Sequence, residues 1–126
     1  TQEFAKRTGL HVQLNLEASS RVTIDKLATA LFRIVQESLT NVVRHAKASQ
    51  AVINLLTDDK DLVLRVQDNG QGLDVHAKQT GIGLVSMRER ATSMGGRFHI
   101  QSDSVTGTVI EVRFALDLPI FSESVA

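Results

Sequence analysis

Between residues 25 and 68 the apolar positions change period once, and that change constrains the fold more than any other feature. Over 25–46, Ala28, Leu31, Phe32, Val35, Leu39, Val42 and Ala46 recur at steps of three and four, the stripe of an amphipathic helix that Thr23 or Asp25 could cap. The runs 50–57 and 61–68 then alternate with period two and are joined by Asp58-Asp59-Lys60, which reads as a β-hairpin. Upstream, 10–17 also alternates, with Val12, Leu14 and Leu16 on one face of a strand. Downstream, a glycine-bearing loop over 69–81 leads to a second helix starting near Gly83. That helix carries Leu84, Met87, Ala91 and Met94 inward and ends at Gly95-Gly96, before strands 97–103 and 107–116 pair across Ser104-Val105-Thr106. The order β, α, β, β, α, β, β contains hairpins rather than repeated βαβ units. It predicts an α+β fold: a two-layer α/β sandwich, its sheet mixed but mostly antiparallel, with the helices on one face.

A chain of 126 residues accommodates one domain, placed here at 10–116. Residues 1–9 read as the last turn of an incoming linker helix closed by Gly9, and 117–126, broken by Pro119, as a tail. A start at Thr1 leads us to expect a piece of something longer. Basic and acidic residues number 14 each, so no global field recruits nucleic acid or anionic lipid. Five Phe without Trp or Tyr offer few platforms for stacking bases. The absence of Cys removes disulfides, thiol catalysis and Cys-type zinc sites. No apolar run approaches the ~18 residues of a membrane span, so this segment is expected to make no direct membrane contact.

Three sets of residues break the pattern. Leu62, Leu64 and Val66 share a strand face, and period two puts Asp68 on it as well. Either an inward carboxylate there finds hydrogen-bonding partners, or the strand ends at Gln67 and Asp68 opens a solvated Asp-Asn-Gly turn. Thr108 likewise continues the face of Ile110, Val112 and Phe114; its hydroxyl could meet Asp68, a polar ligand or backbone. On the long helix, Arg33, Glu37, Asn41 and His45 stand four apart with Arg44 alongside. They form either a solvated face or a line able to orient water, give Mg²⁺ a hard oxygen and take phosphate oxygens. Last, Gly70 and Gly72 flank a bend, and Gly81-Ile82-Gly83 opens a helix whose free N–H groups suit phosphate. A P-loop, a Rossmann fingerprint, an EF-hand, a GxSxG elbow and histidine metal spacing are all missing.

The order of these signals is more specific than any one of them. LFRIVQESLTNVVRHAKAS, then DNGQG, GIGLVSMRERA, GGRFHI and GTVIEVRF resemble the ATP-binding domain of sensor histidine kinases. The resemblance is narrower to the NarL-type group, within the superfamily of gyrase, Hsp90 and MutL, and covers about residues 10–116. It implies the Bergerat-type sandwich, with ATP between the long helix, the loops and the sheet edge. Asp68 matches the family aspartate that accepts from the adenine amino group, Gly70 and Gly72 the glycines that let backbone approach the base, and Thr108 a position near adenine. Asn41 matches the asparagine that binds Mg²⁺; Glu37, one turn earlier, would orient the attacking group or the metal's water shell. Arg44 and His45 match positions touching phosphates or ribose, and Gly81 and Gly83, with Leu84 following, the second glycine box that meets the phosphates. Residues 73–80 would be a short lid in which Lys78 could reach a phosphate, and Ser86 departs from the group's usual Gly.

The resemblance further implies a catalytic fragment of a protein-histidine kinase, with ATP and Mg²⁺ as its ligands. The residues after the four histidines are Val12, Ala46, Ala77 and Ile100, none of them the acidic neighbour of this group's phosphoacceptor. The acceptor is therefore expected upstream, on a dimerisation domain, and this chain alone should not autophosphorylate. Expected partners are that domain and a response regulator; the fragment is expected to be a monomer, the full-length protein a homodimer in which this part faces the cytoplasm beneath a membrane-bound sensor. The competing expectations are a stand-alone ATPase or anti-sigma-type serine kinase of the same superfamily, and a docking module without catalysis.

Overall fold

In the computed structural model the described residues are 9–17, 21–58, 60–71, 78–103 and 105–116; among them the side chains of 21–24, 45, 46 and 78–82 lie outside the description. The alternating runs form β1 (His11–Glu17), β2 (Gln50–Asp58), β3 (Asp61–Asp68), β4 (Gly96–Asp103) and β5 (Gly107–Ala115). They make one sheet in the order β1-β2-β3-β5-β4. β1 runs parallel to β2 and every other pair is antiparallel, so the sheet is mixed as expected. The parallel pair encloses helix α1 (Arg21–Asn41), a single βαβ crossover that the hairpin count had not anticipated.

Register arranges the core in rows across the strands. Leu55 faces Leu64, Val112 and Phe98 in turn, and Ile53 faces Val66, Ile110 and Ile100. One face of these rows meets Leu27, Leu31 and Ile34 of α1 and Met87 and Ala91 of helix α2 (Lys78–Ser93). The opposite face carries the charged side chains, with Val63 buried among them. There Arg113 bonds Glu111, Asp58 and Asp61, Arg65 bonds Glu111 at 2.6 Å, and Arg97 bonds Asp61 at 2.8 Å. The two layers thus separate as the binary pattern requires, apolar toward the helices and charged toward water.

Several local expectations need correction. The buried stripe of α1 runs through Leu27, Leu31, Ile34, Ser38, Asn41 and Val42, whereas Ala28 and Phe32 are exposed. Ile34 and Leu27 set the phase, because packing over the sheet centre needs a narrower stripe than the run of apolar residues offers. The last turn, Val42–Ala46, is π-helical and ends at Lys47 with φ 51°. In β1, Leu14 and Leu16 point to the helix face but stay 59% and 66% exposed, since the strand is the sheet's edge. Helix α2 starts at Lys78, so Gly81 and Gly83 lie inside it and the last three residues of the expected lid, 78–80, are helical. Met94 falls beyond its end, in a turn, and is exposed. Residues 1–8, Gly72 and the tail 117–126 lie outside the described residues.

Candidate active site

The rows of the sheet end in a polar one. Ala51 pairs with Asp68 and Ser102 with Thr108, and β5 carries Thr108 beside Asp68. Asp68 is therefore a strand residue on the helix face, 3% exposed, and not the start of a solvated turn. Its Oδ1 accepts from the Gly70 amide at 2.8 Å and from the Thr108 amide at 3.3 Å. Burial pushes its carboxyl above the usual carboxylate range, and the two amides only partly oppose that. Gly107 permits the approach: its φ is +95°, and a Cβ there would strike the Asp68 carbonyl and stand 2.9 Å from Oδ1. The Thr108 hydroxyl, 2% exposed as a residue, meets neither Asp68 nor backbone but Ser102 Oγ, at 2.7 Å.

The C-terminal half of α1 supplies a second group. Asn41 is 3% exposed, not on a solvated face, and its Nδ2 has no hydrogen-bond partner. Ser38, one turn back, donates to the Ile34 carbonyl at 2.7 Å and lies 3.3 Å from Met87 Sδ, which fastens α1 to α2. Gly83 of α2 closes on the same surface: a Cβ there would lie 2.5 Å from Glu37 Oε2 and 3.5 Å from Asn41 Oδ1. A half-buried carboxylate and a buried carboxamide thus face one glycine. Their hard oxygens suit Mg²⁺, a cation that uses few protein ligands and completes its shell with water and phosphate. Among the described residues no group of three or more His, Asp or Glu side chains is arranged to hold a metal ion. The unpartnered Asn41 amide leaves a buried donor that a polar ligand could satisfy.

The expected residues therefore fall into two groups, Asp68, Gly70 and Thr108 at the sheet's end and Glu37, Asn41 and Gly83 between the helices. Arg33 and Arg44 are exposed, and Leu84 packs against the apolar core. His45 lies in the π turn with its side chain outside the description. Gly83 does not open α2 as a free N–H donor, because the helix begins at Lys78; Gly81 lies in its first turn. Reading the sequence missed Ser102, Gly107 and Asn69. Asn69 accepts from the Ser49 and Gln50 amides, both at 3.0 Å, and donates to Ser49 Oγ, so it ties the exit of α1 to the Asp68 bend. Ser102 could have been found, because it interrupts the alternation Phe98, Ile100 on β4. A depression of about 250 Å³ also touches Asp68, but Val52 and Gln67 place it on the polar side of the sheet.

Residues 26–119 match the family model described as histidine kinase-, DNA gyrase B-, and HSP90-like ATPase. The chain belongs to that family. Among curated proteins it is similar to the sensor protein VraS of Staphylococcus saprophyticus, 46% identical over 88 residues, and to that of Staphylococcus aureus, 44% identical over 88. Those stretches cover 69% of this chain and 25% of either relative, so the chain matches about a quarter of their length. Among solved structures, the histidine kinase AdeS of Acinetobacter baumannii superposes with a TM-score of 0.72 at 15% identity, over 93% of this chain and 59% of that one. The histidine kinase domain of a blue-light-activated kinase from Erythrobacter litoralis gives 0.65 at 20% identity, over 91% and 60%. These likenesses bear out the two-layer fold.

Proposed function

We propose that this domain binds Mg-ATP and, within a longer NarL-type sensor kinase, presents the γ-phosphoryl to a histidine carried by a dimerisation domain. The observation that carries this reading is Asp68, a buried carboxylate with Oδ1 held by two amides. A buried carboxylate is costly unless its remaining acceptor capacity is used, and the adenine amino group uses it. Gly70, with Gly72 beyond the described residues, keeps backbone close to the base, and Thr108 reads its edge. At the other end Asn41 would hold the Mg²⁺, with Glu37 beside it facing the metal's water shell, and the ion would neutralise charge on the phosphates. Arg44 and His45 reach phosphate or ribose, and the start of α2, with Gly81, Gly83 and Leu84, meets the phosphate chain. The Gly83 backbone is small enough to share that surface with Glu37 and Asn41.

In the transfer, the acceptor imidazole nitrogen forms a bond to the γ-phosphorus as the bond to the β,γ-bridging oxygen breaks, and ADP leaves. The chain's own residues orient the nucleotide and exclude water; Glu37 orients the attacking group rather than removing a proton from water. The phosphoryl group would pass on to a response regulator. The intact kinase would be a homodimer, this part of it cytoplasmic and monomeric when isolated. What supports a longer sensor is that the VraS relatives are sensor proteins about four times the matched length. The test is a mixture of this domain, Mg-ATP labelled in the γ position and a separately made dimerisation domain. Label on that domain's histidine, lost with Asp68→Asn, is the expected result; label released only as phosphate would overturn the kinase reading.

A further inference from the structure

The polar row at the end of the sheet contains one residue with no role in the reading above. Ser102 lies on β4, the edge strand, directly opposite Thr108. The two preceding residues on the same face, Phe98 and Ile100, are partly buried apolar side chains packed against the core. A serine at the next position breaks that pattern and puts a hydroxyl 2.7 Å from Thr108 Oγ1. Thr108 in turn gives its amide to Asp68 Oδ1. Three strands thus carry Ser102, Thr108 and Asp68 in line, each joined to the next by a hydrogen bond.

We propose that Ser102 is a positioning residue for base selection: its hydroxyl donates to Thr108 Oγ1 and so turns the Thr108 proton toward the ligand. The inference rests on the adenine reading of Asp68. A hydroxyl both donates and accepts, so Thr108 alone does not distinguish the two sides of a base edge. With Ser102 donating, the row presents an acceptor at Asp68 beside a donor at Thr108. That pair complements an amino group next to a ring nitrogen, the edge of adenine, either directly or through one water. It opposes a carbonyl next to a ring N–H, the edge of hypoxanthine or guanine. The reverse polarity, with Thr108 donating to Ser102, would set two acceptors side by side against the ring nitrogen, which is electrostatically unfavourable in a buried site. Discrimination then comes from groups left unpaired by the wrong base.

The test is calorimetric titration of Mg-ADP and Mg-IDP into wild type, Ser102→Ala, Ser102→Thr, Thr108→Val and the Ser102→Ala/Thr108→Val double variant. One neutral hydrogen bond corresponds to a roughly 3- to 10-fold loss of ADP affinity in Ser102→Ala. IDP affinity should hold or rise, so the ADP/IDP ratio falls, and Ser102→Thr should restore it. In the Thr108→Val background, Ser102→Ala should add nothing, because its effect passes through Thr108. Equal losses for both nucleotides, an unchanged ratio, or a full loss persisting without the Thr108 hydroxyl would overturn the inference. If Ser102→Ala melts below the assay temperature, Ser102→Cys, a weaker donor of similar size, carries the same comparison. The underlying reading fails differently: wild type that binds neither nucleotide, or Asp68→Asn that binds like wild type, overturns it and the role of Ser102 together.

Discussion

Asp68→Asn separates the function of the site from its fold. The substitution keeps shape and leaves an oxygen where Oδ1 accepts from the Gly70 and Thr108 amides at 2.8 and 3.3 Å. It replaces the second acceptor with an NH₂, which meets the adenine amino group donor to donor. Losing a charge-assisted hydrogen bond costs about 1.5–3 kcal/mol, and leaving a buried donor unsatisfied about 1–3 more. Together, about 3–5 kcal/mol corresponds to a roughly 100- to 3000-fold loss of ADP affinity. Stability moves the other way. Burial raises the Asp68 pKa in the fold, so its favourable contribution is complete below the unfolded value of 3.8 and is lost as pH rises through the folded value. At pH 7, well above 3.8, the raised pKa opposes folding, and the neutral amide should melt at or above the wild-type temperature. Calorimetry with ADP alongside thermal melts at pH 7 reads both. Near-normal affinity, or a variant that binds poorly because it melts well below wild type, would refute the reasoning.

Three further outcomes follow from the geometry. Gly107→Ala should cost about 2–4 kcal/mol, because φ +95° and the adjacent Asp68 carbonyl both exclude a Cβ; a thermal melt reads it as a loss of roughly 10–20 °C. Asn41→Ala removes an amide whose nitrogen is already unpartnered, so adenosine affinity should hold while Mg-ATP weakens about tenfold or more, and titrations with and without EDTA should converge. The Arg113 and Arg65 guanidiniums hold the Glu111 carboxyl below its usual 4.5, so its contribution is present above that value and is lost as pH falls through the folded one. Glu111→Gln should therefore flatten the acid limb of a stability–pH profile, with ADP affinity at pH 7 unchanged.

What the sequence made legible follows the range of the interactions involved. Period two located all five strands to within a residue or two, because alternation is a local consequence of the pleat. Asp68 stood out for the same reason: a carboxylate in phase with Leu62, Leu64 and Val66 needs partners. One partner, the Gly70 amide, is local; the other comes from β5, 40 positions away, and local patterning could not identify the Thr108 amide or the Gly107 backbone as groups that receive the carboxylate. The stripe of α1 is legible in part: Leu31, Val35, Leu39 and Val42 pack on the core, but Phe32 is as apolar as Leu31, and only the position of the sheet decides which one is buried. The solvated-face alternative for Asn41 fails because the buried side of α1 extends to it, which the apolar residues alone do not show. The start of α2 was set too late because Gly81 and Gly83 weigh against helix by about 1 kcal/mol each, a bias that the helix overcomes through Met87 and Ala91 in the core. Ser102 needed the β4–β5 register before its hydroxyl could be paired with that of Thr108.

The most direct measurement is a crystal structure of the domain with Mg²⁺ and a nonhydrolysable ATP analogue. The expected result places the adenine amino nitrogen about 2.8–3.1 Å from an Asp68 carboxylate oxygen, with the phosphates at the Glu37 and Asn41 end of α1. A base bound away from Asp68, or phosphates remote from Asn41, would contradict the proposed nucleotide site.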